Sequence, residues 1–135
     1  MNPRLAIHAA LDAFHRAAAE ADADAYFDLL TPDAVFIGTD ATERWSRSEL
    51  KAYAEPHFAG DSAWIYTPVA RSLTVAGEFA WFDERLSHAK YGETRGSGVL
   101  QRIGSSWRIR QYVLSFSVPN AAAGEVVEAI ARVEK

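Results

Sequence analysis

At 135 residues, with 49% apolar and 24% charged side chains, the chain has the length of a single domain spanning 1–135 and an ordinary globular composition. The absence of cysteine excludes disulfides, thiolate nucleophiles and cysteine-based metal sites, and fits a cytoplasmic protein. The formal charge of −4 is spread without a basic stripe, the first thirty residues lack the apolar core of a signal peptide, and no apolar run nears the ~20 residues that span a bilayer; neither nucleic acid nor membrane is an expected partner.

Asn2-Pro3 reads as a helix start, a capping side chain followed by proline at the first helical position. Ile7, Ala10, Leu11, Phe14, Ala18 and Ala21 then recur at helical spacing. A short second helix is expected from about Ala23 to Leu30, with Tyr26, Phe27 and Leu30 inward and Pro32 as its stop. Val35-Phe36-Ile37 is a short strand ended by Gly38. Ser46-Arg47-Ser48-Glu49 is a capping box, and the helix it opens carries Leu50, Tyr53, Ala54, His57 and Phe58 on one side before Pro56 and Gly60 end the segment. Four long strands follow, about Ala63–Val75, Phe79–Ala89, Glu93–Ile103 and Ser106–Val118, separated by turns at Ala76-Gly77, Tyr91-Gly92 and Gly104-Ser105. Strands of this length bend, so bulges are expected, with Gly96 and Gly98 as candidates. Pro119-Asn120 leads into a last helix with Asn120 as its cap. Segregated helices and an antiparallel meander make the chain α+β, three helices on the concave face of a curved sheet, with a C-terminal helix.

This order resembles the SnoaL-like branch of the nuclear transport factor 2-like (cystatin-like cone) superfamily. The residues that carry the resemblance are Phe36-Ile37-Gly38-Thr39-Asp40 with Glu43 and Trp45, Ala80-Trp81-Phe82-Asp83-Glu84, Gly92 to Leu100, Trp107-Arg108-Ile109, and Gln111 to Phe116 running into Val118-Pro119-Asn120. The resemblance implies a cone with an internal pocket and a homodimer built sheet against sheet. It does not imply one reaction, because the superfamily includes isomerases, dehydratases, hydrolases, cyclases and members without a known reaction. Steroid isomerases of this superfamily place an aspartate base on the first strand, where this chain has Ile37 or a neighbour. Cyclases and hydrolases often place a histidine or aspartate late in the final strand, where this chain has Gln111, Val113 and Ser115.

Two alternations define the expected pocket face. On the second long strand Ala80, Phe82, Glu84 and Leu86 form the apolar series, so Glu84 is expected inward; a carboxylate there must be paired or shift its pKa. Arg95 is its expected partner and Tyr112 completes the network. On the last strand Tyr112, Leu114, Phe116 and Val118 share one face, and Trp107, Ile109, Gln111, Val113 and Ser115 the other. The corresponding residues of the isomerases line the cavity, which assigns Tyr112, Leu114 and Phe116 to the cone. A two-residue turn at Gly104-Ser105 then sets Ser97 near Tyr112 and Arg95 near Leu114; a slip of one residue reverses the assignment.

The candidate catalytic residues are therefore Glu84 as base or orienter, Arg95 and Tyr112 as stabilisers of oxyanion charge, with a purely structural Glu84–Arg95 ion pair as the alternative, and Asp40 as a base at the cone mouth or, more simply, a turn residue. Tyr26, Trp45, His57, Phe82, Ser97, Leu114 and Phe116 are the candidate ligand contacts. His8, Asp12 and His15 share a helical face, but the two histidines are ~10 Å apart along the axis, too far for a shared metal; they are expected on a solvated flank, and no metal site is expected. His57 reads as a partly buried, hydrogen-bonded residue, His88 as solvated, and Asp83, Arg85, Arg108 and Arg110 as outward-facing. No phosphate loop and no Ser/His/Asp set is present, so no cofactor is expected. The expected function is binding of a small apolar or weakly acidic molecule, with cofactor-free isomerisation, dehydration, cyclisation or hydrolysis as the reaction; the alternative is a non-catalytic ligand-sensing or dimerisation module.

Overall fold

The computed structural model describes residues 2–61 and 63–134. Asn2 caps the first helix by accepting the Arg4 N–H at 2.9 Å, and Pro3 begins α1 (Pro3–Ala19). One face of α1 buries Ile7, Leu11, Phe14, Ala17 and Ala18, and with them His15. Asp22 caps α2 (Ala23–Asp28) through the Ala25 N–H. The expected extension of this helix to Leu30 is replaced by strand: Leu29 C=O already accepts the Ile109 N–H at 2.7 Å, and β1 spans Leu30–Ile37. Pro32 sits inside β1, where pairing with the neighbouring strand lapses between Leu30 and Val35 and a missing N–H costs nothing.

β2 (Arg44–Ser46), absent from the sequence reading, pairs with β1 and runs straight into α3 (Arg47–Ala54). The capping box forms as expected: Ser46 Oγ accepts the Glu49 N–H at 3.2 Å and the Glu49 carboxylate accepts the Ser46 N–H at 2.9 Å. A single 3₁₀ turn, His57–Ala59, follows Pro56. The next strand begins later than expected, because the Trp64 N–H donates to Ala18 C=O at 3.2 Å and holds that segment on α1. The meander is β3 (Thr67–Ala76), β4 (Phe79–His88), β5 (Gly92–Ile103) and β6 (Ser106–Phe116).

The six strands form one sheet in the order β2-β1-β6-β5-β4-β3, antiparallel throughout except for the parallel pair β1·β6. The fold is the α+β cone expected: α1, α2 and α3 pack on the inner sheet face, and Ile7, Leu11, Phe14, Tyr26, Phe27, Leu50 and Phe58 meet Leu73, Ala80, Phe82, Leu100, Ile109 and Tyr112 in one core. Burying each large apolar side chain contributes about 2 kcal/mol. A 3₁₀ turn (Asn120–Ala122) leads to α4 (Ala123–Val133), which buries no residue. Asn120 does not cap it, and among the described residues no side chain does. No helix among the described residues is long and apolar enough to cross a membrane.

Inward-facing residues are set by turn length. Ala76 faces Phe79, so Arg71 faces Glu84; the three-residue loop between His88 and Gly92 makes Glu84 face Gly96 and Arg85 face Arg95. Thr94, Gly96, Gly98 and Leu100 of β5 therefore point inward with Glu84, and Arg95 and Ser97 point outward. The meander is irregular as expected, but not at Gly96 or Gly98: on β6 Leu100 faces Ile109 and Val99 faces Gln111, leaving Arg110 as an extra residue, and on β3 Val69 is extra between Pro68 and Ala70. The shift on β6 puts Trp107 and Ile109 on the same inner side as Tyr112 and Leu114, where a regular strand would have separated them.

Candidate functional site

Beneath α1 the sheet holds a buried ionic cluster centred on Glu84. The residue is 1% exposed. Its Oε2 accepts from the Tyr112 hydroxyl at 2.6 Å and lies 2.6 Å from His15 Nε2; its Oε1 accepts from Arg71 Nε at 2.8 Å. Burial pushes the Glu84 carboxyl up, but the His15 hydrogen bond and charge, the Tyr112 bond and the Arg71 charge outweigh it and hold the pKa below the usual glutamate value. An ionised carboxylate only accepts, so His15 Nε2 carries a hydrogen and donates. The Tyr112 phenol is pushed well above its ordinary pKa, by burial first and the Glu84 charge second, and so keeps its proton for this bond.

Arg71 is the cation that the sequence assigned to Arg95. Besides Glu84 it donates from Nη2 to Asp12 Oδ1 at 3.0 Å and from Nη1 to His8 Nδ1 at 3.1 Å. The expected solvated flank of α1 is corrected at His15, which is buried, and at His8, which is half-buried, whereas Asp12 stays exposed as expected while it pairs with Arg71. No metal-binding group of three or more His, Cys, Asp or Glu exists among the described residues. The signals that locate the cluster are in the chain. His15 follows Ile7 and Leu11 at steps of four, and a turn in which Ala76 meets Phe79 brings Arg71 to Glu84. Gly96 makes the Tyr112 bond possible, because a Cβ there would lie 2.0 Å from the Tyr112 hydroxyl oxygen.

Above the cluster opens a cavity of about 410 Å³ walled by aromatic rings. His15 and Tyr112 form part of its floor, with Phe14, Tyr26, Phe36, Leu86 and Leu114. Trp45, Tyr53, His57 and Trp64 stand on one side of the mouth, where Trp45 and Tyr53 stack at 5.0 Å and His57 lies 5.8 Å from Trp64. Tyr66, His88 and Tyr91 stand with them as lining residues, the His88 ring 4.6 Å from Tyr66 and 4.7 Å from Tyr91. His88 is half-buried rather than solvated, and its Nδ1 accepts the N–H groups of Lys90 and Tyr91. Among the described residues His15 Nδ1 has no hydrogen-bond partner. An imidazole fixed by a carboxylate at one nitrogen and free at the other can take up or deliver a proton.

The expected ligand contacts divide. Tyr26, Trp45, His57 and Leu114 line the cavity, although His57 is exposed where a partly buried residue was expected. Phe82 is buried in the core against Tyr112, ring centroids 5.8 Å apart. Ser97 faces away because its strand neighbours Gly96 and Gly98 take the inner side, and Phe116 lies 47% exposed beside Tyr91. Of the expected catalytic set the structure joins Glu84 and Tyr112. Arg95 is exposed on the outer face, opposite Arg85 and Ser115, and forms no pair with Glu84. Asp40 lies on the exposed turn after β1, where its carboxylate accepts from the Thr42 hydroxyl and N–H; these bonds hold its pKa below the usual value and make it a weak base. Asp83, Arg85 and Arg110 face outward as expected, and Arg108 with them is half-buried.

Comparison with known proteins agrees with this architecture. A provisionally named aromatic ring hydroxylase from Novosphingobium aromaticivorans is similar at 23% identity and a TM-score of 0.71, over 86% of this chain and 90% of that one. A nuclear transport factor 2-like protein from Cytophaga hutchinsonii matches at 14% identity and 0.73, over 87% and 100%. A provisionally named dehydratase of the nuclear transport factor 2-like family from Streptomyces avermitilis matches at 15% and 0.72, over 84% and 95%. At these identities the likeness is one of fold. No curated protein matches the chain. The model of the SnoaL-like domain matches residues 7–119, so the chain belongs to the SnoaL-like family.

Proposed function

We propose that the cavity binds a small, largely apolar molecule and that His15, oriented by Glu84, moves a proton on it. The observation that supports this reading is the pairing of His15 Nε2 with a buried carboxylate at the floor of an aromatic-walled cavity. Glu84 fixes the tautomer and would stabilise the imidazolium formed when His15 takes a proton, the role a buried carboxylate plays beside any catalytic imidazole. Tyr112 and Arg71 keep that carboxylate charged. The reaction class this serves is proton transfer on a carbon acid, a dehydration or a hydrolysis; dehydration is also the activity for which the Streptomyces avermitilis protein is provisionally named. We also infer that the chain works as a homodimer joined through its outer sheet face, as the resemblance implies.

The test is thermal melting against a panel of small ketones, alcohols, lactones and amines. A ligand of the native state raises the melting temperature by mass action. Any compound found this way is then assayed for turnover. His15→Gln is expected to lower kcat by about 10²-fold or more with little change in KM, as loss of a general base does. A broad panel without a single stabilising compound would overturn the binding reading. Full turnover in His15→Gln would remove His15 from the chemistry, and binding without turnover by the wild type would leave a ligand sensor.

A further inference from the structure

The cavity has a charge preference that its apolar walls conceal. Among the described residues no lysine or arginine lines it, Glu43 is its one carboxylate, and its remaining ionisable lining groups besides the tyrosines are His15, His57 and His88. Lys90 lies near the mouth but over the Tyr91 ring, at 5.4 Å, outside the lining. Arg71, which meets Glu84 below His15 and Tyr112, is already engaged by Glu84, Asp12 and His8.

Glu43 is held in place by its loop. The Gly38 N–H donates to Glu43 C=O at 2.8 Å, the Glu43 N–H to Asp40 C=O at 3.0 Å, and the Asp40 N–H to Glu43 Oε1 at 2.9 Å. Asp40 in turn accepts from Thr42. The Glu43 side chain lies flat against Gly38, where a Cβ would stand 2.9 Å from Oε1. Among the described residues Oε2 has no hydrogen-bond partner. The charge reaches Tyr66 at the mouth, whose phenol is pushed up by burial, then by Tyr91, then by Glu43. A carboxylate preorganised at an aromatic mouth attracts a cation and repels an anion.

We infer that the cavity selects a positively charged ligand, an amine or protonated nitrogen heterocycle on an apolar body, with Glu43 as its counter-ion. This rests on the ligand-binding reading above and, where the sequence led to a weakly acidic ligand, puts a basic one.

The experiment uses three probes on one skeleton: 2-naphthylmethylammonium, 2-naphthalenemethanol and 2-naphthoate. Each is titrated by calorimetry into the wild type and Glu43→Gln at about pH 8, where carboxylates are ionised, and the Glu43 effect is read as the difference between two proteins that carry the same histidines. Glu43→Gln keeps an oxygen for the Asp40 N–H, so the loop is expected to survive. In the wild type the cation is expected to bind about tenfold more tightly than the neutral probe, and the anion more weakly than either. In Glu43→Gln the ratio of cation to neutral affinity should fall to about one, and in the wild type it should shrink from about 20 mM to about 500 mM salt. An anion that binds as well as the cation, or a ratio untouched by both the variant and salt, overturns the charge preference while leaving the pocket intact. No binding by any of the three overturns the preference too, and the broader melting panel then decides whether the pocket reading falls with it.

Discussion

Glu84 is a buried charge whose value to the fold depends on three donors arriving at once. Removing it strands Arg71, whose side chain is 7% exposed, and breaking a buried pair by deleting one partner costs about 3 kcal/mol or more. Glu84→Gln is thus expected to unfold at markedly lower urea concentration than the wild type at about pH 7. The pH dependence follows from the lowered pKa. The folded state holds this proton less tightly than the unfolded chain, so the stability is fully present above the unfolded glutamate value and is lost as pH falls through the folded one. Wild type and variant should converge in urea midpoint as pH drops from about 6 to about 3; midpoints that stay equally far apart would show that the ionised carboxylate is not the stabilising form. The sequence disclosed Glu84 and Tyr112 through simple alternation. It hid Arg71 because pairing across a hairpin depends on which residues form the turn, and one residue of error exchanges an inward arginine for an outward one. His15 was legible by spacing but was set aside, since a histidine beside an apolar stripe reads as solvated until the carboxylate it meets, 69 positions away, is known.

β6 shows how a single extra residue decides which side chains share a cavity. Trp107 and Ile109 belong to the core, and so does Tyr112 with Leu114 packed against it, although the first pair has odd numbers and the second even. Arg110 absorbs the difference at the bulge opposite Val99 and Leu100. Alternation from the Gly104-Ser105 turn assigns the near half of the strand to the wrong face for this reason, while every element of the meander and the capping box of α3 could be read directly. Deleting Arg110 is expected to force either Trp107 and Ile109 or Tyr112 and Leu114 out of the core, with a fall in melting temperature of more than about 10 °C or no cooperative transition. Arg110→Ala is the control. Its side chain meets Asp33 at 3.2 Å in a half-exposed ion pair, and such pairs contribute about 0–1 kcal/mol, so it should melt within about 4 °C of the wild type. A deletion variant that melts like the wild type would mean that the bulge does not set the register.

At the scale of the whole molecule, α1, α2 and α3 cover one face of the sheet, and the other face carries exposed apolar residues. Phe79 and Trp81 stand 42% and 51% exposed on β4, and Ile103 is 42% exposed on β5. Trp81 faces Val99, which faces Gln111 across β5 and β6. Charged residues border them, among them Arg85 paired with Glu93 and Arg102 with Glu78. An apolar centre with a charged border is the composition of a protein interface rather than of free surface. The proposed dimer would bury this face, and tryptophan at the centre of an interface is the residue type that dominates affinity. Trp81→Glu places a charge there with no partner, which should weaken association by at least about 30-fold. Sedimentation velocity at about 20 µM should then show a dimer for the wild type and a monomer for the variant, with the same far-ultraviolet circular dichroism, because Trp81 contributes nothing to the inner core. A wild-type monomer at that concentration, or a Trp81→Glu dimer, would remove the sheet face as the contact and leave its aromatic residues unexplained. If the dimer holds, ligand binding and association should report independently, since the cavity and this face lie on opposite sides of one sheet: a compound that raises the melting temperature of the wild type should raise that of the Trp81→Glu monomer by a similar amount.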